Sequence, residues 1–189
     1  MVKRRALFLV LFAVVMITGG ISSAQDTIPF VPSPMHVVQR MLEVAEITKG
    51  DILYDMGSGD GRVVIEAAKK YGIRAVGVDL NADLVAKARE NAAKEGVSHL
   101  VEFRAQDGLT VDISEASVVT LYMFKWFNNA LRPKLQQLKP GARVIAHDFD
   151  IDEWKPTRIE YVKSPEDGSD YAESRTLYIW IVGDKPPMP

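Results

Sequence analysis

The chain has 189 residues, 47% of them hydrophobic, which suits one α/β domain with a substantial core. Its 23 basic and 25 acidic residues argue against a nucleic-acid partner on electrostatic grounds. Without a cysteine it has no disulfide, no thiol nucleophile and no cysteine-based metal site. At the N-terminus Lys3, Arg4 and Arg5 precede an uncharged run from Ala6 to Ile17, and Ser22, Ser23 and Ala24 offer small residues before Gln25. This layout predicts a secretory signal peptide over residues 1–24, with an uncleaved membrane anchor as the alternative. Either way the domain over 25–189 is expected outside the cytoplasm: periplasmic or secreted, or held at a membrane by this segment alone. Removing the leader takes away three basic residues and no acidic one, leaving a net charge of −5.

Thr27–Pro34 carries three prolines and reads as extended, with Pro34 opening a helix that runs to about Ala45. Val37, Val38, Met41, Leu42 and Ala45 give that helix one apolar stripe. Ile52, Leu53 and Tyr54 then suit a buried strand, which ends at Asp55 and meets three glycines, Gly57, Gly59 and Gly61, spaced by one residue. Arg62–Tyr71 follows as an amphipathic helix, so its free N–H groups face back into the turn. Arg74–Asp79 is a second apolar strand, and its terminal acid stands about twenty residues after the glycines, where nucleotide-binding α/β folds hold ribose hydroxyls.

The glycine spacing distinguishes the nucleoside. Dinucleotide folds use G-x-G-x-x-G, with a pyrophosphate at the helix N-terminus, whereas here G-x-G-x-G follows a carboxylate that would repel a pyrophosphate. Asp55 instead suits a cofactor with a cationic amino group, as in S-adenosylmethionine, and a nicotinamide-linked oxidoreductase ranks last. Asp55, Gly57, Ser58, Gly59, Gly61, Asp79 and Leu80 are the candidate cofactor residues from this half of the chain.

Asn81 is expected to cap a helix over Ala82–Lys94 that Gly96 ends, and Val101–Arg104 is a short third strand. Asp107 and Gly108 after it lie on the same rim as the glycine turn, within reach of an adenine amino group. Ser117–Tyr122 is a central strand whose aromatic exit, through Phe124 and Trp126, would wall the crevice. Helix continues through Leu138 with a break or restart near Pro133, and Arg143–His147 is the fifth strand. Alternation after it puts His147 and Phe149 on one face and Asp148 and Asp150 on the other, so no metal site is expected. Arg158–Val162 and Arg175–Val182 form an antiparallel closing pair around a turn at Ser164–Asp170.

With these elements placed, the sequence resembles the class I S-adenosylmethionine-dependent methyltransferases. That resemblance implies a doubly wound, seven-stranded, mostly parallel sheet with the last strand antiparallel. The stretches FVPSP, VVQRMLEVA, LYDMGSGDGRVVIEAAKK, LRPKL, PGARVIAHDF and TLYIWIVG narrow it to the archaeal broad-specificity protein-lysine methyltransferase and the mitochondrial enzymes that methylate lysine in a component of the ATP synthase. The chain departs from that subgroup at Phe30, often tyrosine there, and at Arg175, often histidine. The resemblance implies transfer of a methyl group to a lysine amine in a protein by in-line displacement. A small-molecule amine acceptor, or non-catalytic nucleoside binding in the cell envelope, are the alternatives.

Such a reaction needs alignment more than activation, since the methyl donor is already activated. It also needs a neutral amine, which an apolar channel beside a cationic sulfonium favours. Tyr122 is the expected hydroxyl orienting the amine and Asp148 a second polar group at the rim, while Phe30, Pro32, Pro34 and Trp126 are expected to meet the acceptor.

Overall fold

The computed structural model describes residues 30–163 and 174–184. The expected leader over 1–24 and the turn Ser164–Asp170 lie outside the described residues. Among the described residues, no helix is long and apolar enough to cross a membrane.

The chain alternates helix and strand as its apolar periodicity dictates: α1 Met35–Val44, β1 Ile52–Met56, α2 Arg62–Tyr71, β2 Arg74–Asp79, α3 Ala82–Lys94, β3 Val101–Ala105, β4 Val118–Leu121, α4 Lys125–Leu135, β5 Arg143–His147, β6 Arg158–Val162 and β7 Arg175–Ile181. The strands form one seven-stranded sheet in the order β3-β2-β1-β4-β5-β7-β6. Every pairing from β3 to β5 is parallel, and β7 runs antiparallel to both of its neighbours. The chain leaves β1 for β2 and β3 on one side and returns to β4 on the other. The carboxyl ends of β1 and β4 therefore flank the switch point, where open α/β sheets bind ligands.

β4 is buried at all four positions and β1 and β5 at four of five, which is why these strands read as apolar runs without alternation. One core lies between the sheet and α1, α2 and α3, and includes Leu42, Val64, Ala88 and Ile145. The other packs Leu131, Leu135 and Trp180 against the face covered by α4. At the amino end of the sheet, Arg143 Nη2 meets Asp51 Oδ2 at 2.7 Å, and Ser117 donates to Asp51 Oδ1 at 2.6 Å. That buried knot ties together the starts of β1, β4 and β5.

Three local expectations are corrected. Pro34 is the N-cap of α1 and not its first helical residue, with an extended ψ of 145°. α4 runs unbroken through Pro133 and stops at Leu135, short of Leu138. The proline sits in the last turn, so it costs a single intrahelical bond where the ladder is already ending. Alternation fails after His147 because Asp148 takes a left-handed φ of 61°, which turns the chain out of the sheet.

Candidate cofactor and acceptor site

The turn after β1 is built on the end of β2. The N–H groups of Gly57 and Ser58 both donate to the Val78 carbonyl, at 2.8 and 3.0 Å, and Gly59 N–H donates to Asp79 Oδ2 at 2.8 Å. Asp79 Oδ1 accepts from Asn81 N–H at 2.9 Å, and the Asn81 side chain in turn caps α3. One carboxylate thus fixes the glycine turn and the start of α3 together. Gly57, Gly59 and Gly61 all have positive φ, and Gly61 carries the chain straight into α2. Their bare faces are used: a methyl group on Gly57 would fall 2.3 Å from Met123 Sδ, and one on Gly59 would fall 2.4 Å from Phe30 Cε2.

Asp55 lies beneath the turn, buried, with Thr120 Oγ1 donating to it at 2.7 Å. Burial pushes its carboxyl up to about 7, the Thr120 bond opposes the shift, and the nearby Asp79 and Asp60 add to it. Asp60 is paired with Arg62 at 2.7 Å, so it is Asp79, with the partly protonated Asp55 beneath, that leaves the crevice electronegative. It suits a ligand that brings a cationic ammonium and sulfonium, and is poorly matched to a pyrophosphate.

The remaining cofactor candidates line the same rim. Leu80, 71% exposed, directly follows Asp79, and Gly108 packs against Phe127 and against Met56 at the end of β1. Asp107 is exposed and holds its own turn by accepting from Leu109 N–H at 2.9 Å. Ser58 differs: its hydroxyl is buried toward Gly77 of β2 and has no hydrogen-bond partner among the described residues.

Across the switch point, the exits of β4 and β5 interleave. Tyr122 stacks on His147 with ring centroids 3.9 Å apart, Phe149 lies 6.2 Å from Tyr122, and Phe124 meets Phe149 edge-on at 5.7 Å. The result is an aromatic wall leading from the buried His147 out to exposed Phe124. Asp148 sits beside it with both oxygens engaged: Oδ1 accepts from Thr176 N–H at 2.9 Å, and Oδ2 lies 3.2 Å from Arg175 Nη1. Pro32 is exposed beside Phe30, and Pro34 caps α1. Trp126, 57% exposed, packs edge-on against Phe127. Sequence reasoning missed Met123 and Ser33, and weighed His147 only as a metal ligand. Met123 was hidden in an aromatic run, and nothing local pairs Ser33 with a residue 114 positions away.

The family model described as the ANTKMT methyltransferase domain matches residues 55–158, from the buried aspartate of β1 to the start of β6. The chain belongs to this methyltransferase family. The methyltransferase is 42% identical over 159 residues to a protein-lysine N-methyltransferase of Saccharolobus islandicus, covering 83% of this chain and 95% of that one. It is 39% identical over 133 residues to the lysine N-methyltransferase of the ATP synthase c-subunit from Xenopus laevis, covering 70% of this chain and 58% of the relative's length. The chain thus spans nearly all of the archaeal relative and under two thirds of the frog one. Among solved structures, an RNA methyltransferase from Salinibacter ruber bound to S-adenosyl-L-homocysteine superposes with a TM-score of 0.72 at 48% identity, covering 84% of this chain and 98% of that one.

S-adenosylmethionine is therefore the cofactor of the methyltransferase. The electronegative crevice and the Asp79 bridge fit that group.

Proposed function

We propose that the chain transfers the methyl group of S-adenosylmethionine to the side-chain amine of a lysine in a protein substrate. The observation that carries the proposal is the aromatic wall from His147 to Phe124, which adjoins the glycine turn through Met123. The cofactor supplies an activated methyl group, so the chain's own task is to admit an amine, strip its water and aim its lone pair. A lysine reaching along the wall meets rings and few polar groups, which lowers the pKa of its ammonium and releases the proton to solvent. Burial, and then the negative Asp148, raise the pKa of the Tyr122 hydroxyl. Tyr122 therefore stays protonated and orients the amine by hydrogen bonding without acting as a base. Asp148, with one oxygen on Thr176 N–H and the other beside Arg175, is held at the rim as the second polar group. The names of the archaeal and frog relatives support lysine as the acceptor.

The Salinibacter protein's description as an RNA methyltransferase favours a second reading, RNA as acceptor. The acidic balance of this chain opposes it, since binding a polyanion draws on surplus Lys and Arg. Incubating the full chain with methyl-labelled cofactor and a mixture of envelope protein and RNA separates the two. Label on lysine Nζ, located by peptide mass spectrometry, supports the proposal; label confined to RNA or to a small molecule overturns it.

The leader over 1–24 and an exported or membrane-held location remain part of the proposal. The charge and apolar layout of residues 3–24 supports them, and N-terminal sequencing of the protein from fractionated cells tests them.

A further inference from the structure

His147 is wholly buried, and no step of methyl transfer requires it to touch a reacting group. Its Nδ1 lies 2.9 Å from Ser33 Oγ. Its Nε2 has no hydrogen-bond partner among the described residues and sits 3.4 Å from Asp148 Oδ2. The adjacent carboxylate favours the tautomer with its proton on Nε2, so the Ser33 hydroxyl donates to Nδ1. Ser33 is only 5% exposed, which closes it to substrate and sets aside a nucleophilic role.

Ser33 also belongs to the short proline-rich segment that covers the cofactor turn. Three residues before it, Phe30 lies over Gly59. The Ser33 carbonyl accepts from Arg62 Nη1 at 2.9 Å, and Arg62 is chelated by Asp60 within the turn itself. The segment is therefore attached to α2 at one point and to β5 at another. The second attachment is the imidazole that carries Tyr122 on its face.

We propose that His147 is a positioning residue, the latch by which Ser33 fastens the segment Phe30–Pro34 over the cofactor turn and couples that cover to the placement of Tyr122. The cofactor arm of the latch stands on the fold and the cofactor alone, whereas its acceptor arm rests on the lysine reading of Tyr122. Loss of the latch loosens the cover and lets the Tyr122 ring tilt, so cofactor affinity and turnover fall together.

The test uses the full chain with Ser33→Ala, Ser33→Thr, His147→Phe and the double variant S33A/H147F. His147→Phe keeps a ring under Tyr122 but cannot bind Ser33. Calorimetry with S-adenosyl-L-homocysteine should show affinity reduced about tenfold in S33A and in H147F, and no further in the double variant, because the two act through one contact. Ser33→Thr, which keeps the hydroxyl, should restore affinity, and amide exchange at Val37 and Val38, which donate to the Pro34 carbonyl at the end of the segment, should quicken only where the latch is broken. Additive losses, or unchanged affinity and exchange in S33A, overturn the proposal. If H147F does not fold, the S33A and S33T pair decides alone. Neither readout needs an acceptor, so a failure to methylate lysine would sink the proposed function and leave this result to stand or fall by itself.

Discussion

Burial moves Asp55 and His147 in directions that a pH series can separate. Asp55 is pushed up to about 7, above its ordinary 3.8, so the folded chain holds its proton more tightly than the unfolded chain. Its contribution is complete below about pH 4 and is lost as pH rises through 7, a change of about 4 kcal/mol at most. Burial lowers His147 to about 4, against the pull of Asp148, so its contribution is present above 6.5 and is lost as pH falls through 4. The two oppose each other between pH 4 and 6.5. Urea denaturation of cofactor-free Asp55→Asn should therefore show stability rising with pH across that window and level above it. In the wild type the two offset each other across that window, so stability should stay nearly level there and fall only between pH 6.5 and 8; identical profiles for both would contradict the account. Tyr122→Phe is expected to lower kcat for lysine transfer by about 100-fold with cofactor affinity unchanged, as misaimed acceptors do. Single-turnover rates beside calorimetry check it. Asp55 and Asp79 were legible in the sequence because each ends an apolar run at a fixed distance from the glycines. His147 was visible only as a weak metal ligand, since its partner Ser33 arrives from another element and the left-handed Asp148 breaks the alternation used to assign faces.

Elements carry their own tests. Gly61 enters α2 at φ 82°, and a methyl group there would sit 2.8 Å from the Phe103 ring and 2.9 Å from Ala88 Cβ. Gly61→Ala combines backbone strain with overpacking and should destabilise the chain by about 2–4 kcal/mol in urea denaturation. A Cβ at Gly72, which also has positive φ, meets nothing within 4 Å, so Gly72→Ala should cost only the strain and serves as the comparison. At the opposite end of the sheet, Asp51→Asn leaves Arg143 without its buried partner. Although burial opposes it, the bonds from Arg143 and Ser117 hold Asp51 down to about 2. The variant should lose about 3–5 kcal/mol of stability while cofactor affinity, set at the other end of β1, is retained. Element type and order were readable because strands β1, β4 and β5 are buried on both faces and the helices have one apolar stripe. Boundaries were less readable where geometry outside the segment decides them, as at Pro133, tolerated only because α4 is already ending there.

At the scale of the molecule, the strand order places the glycine turn, Asp79 and the β4 and β5 exits on one edge, although they are spread from Asp55 to Phe149 in sequence. That convergence could be anticipated from the alternation of strands and helices, because right-handed crossovers between parallel strands leave few other arrangements. The aromatic wall was anticipated only from the β4 side, through Tyr122 and Phe124, because the share of His147 and Phe149 depends on how two exits interleave after their strands end. The acceptor side of the site is correspondingly a matter of side-chain packing, and the cofactor side of backbone and spacing. The central claim is that the turn after β1 and the Asp79 carboxylate act as one cofactor-holding unit. Titration calorimetry of the full chain with S-adenosylmethionine, repeated with Asp79→Ala, tests it most directly. Saturable binding in the wild type, weakened about 100-fold or lost in a folded Asp79→Ala, is the predicted result. Wild-type protein that folds but does not bind, or a variant that binds as tightly, would contradict it.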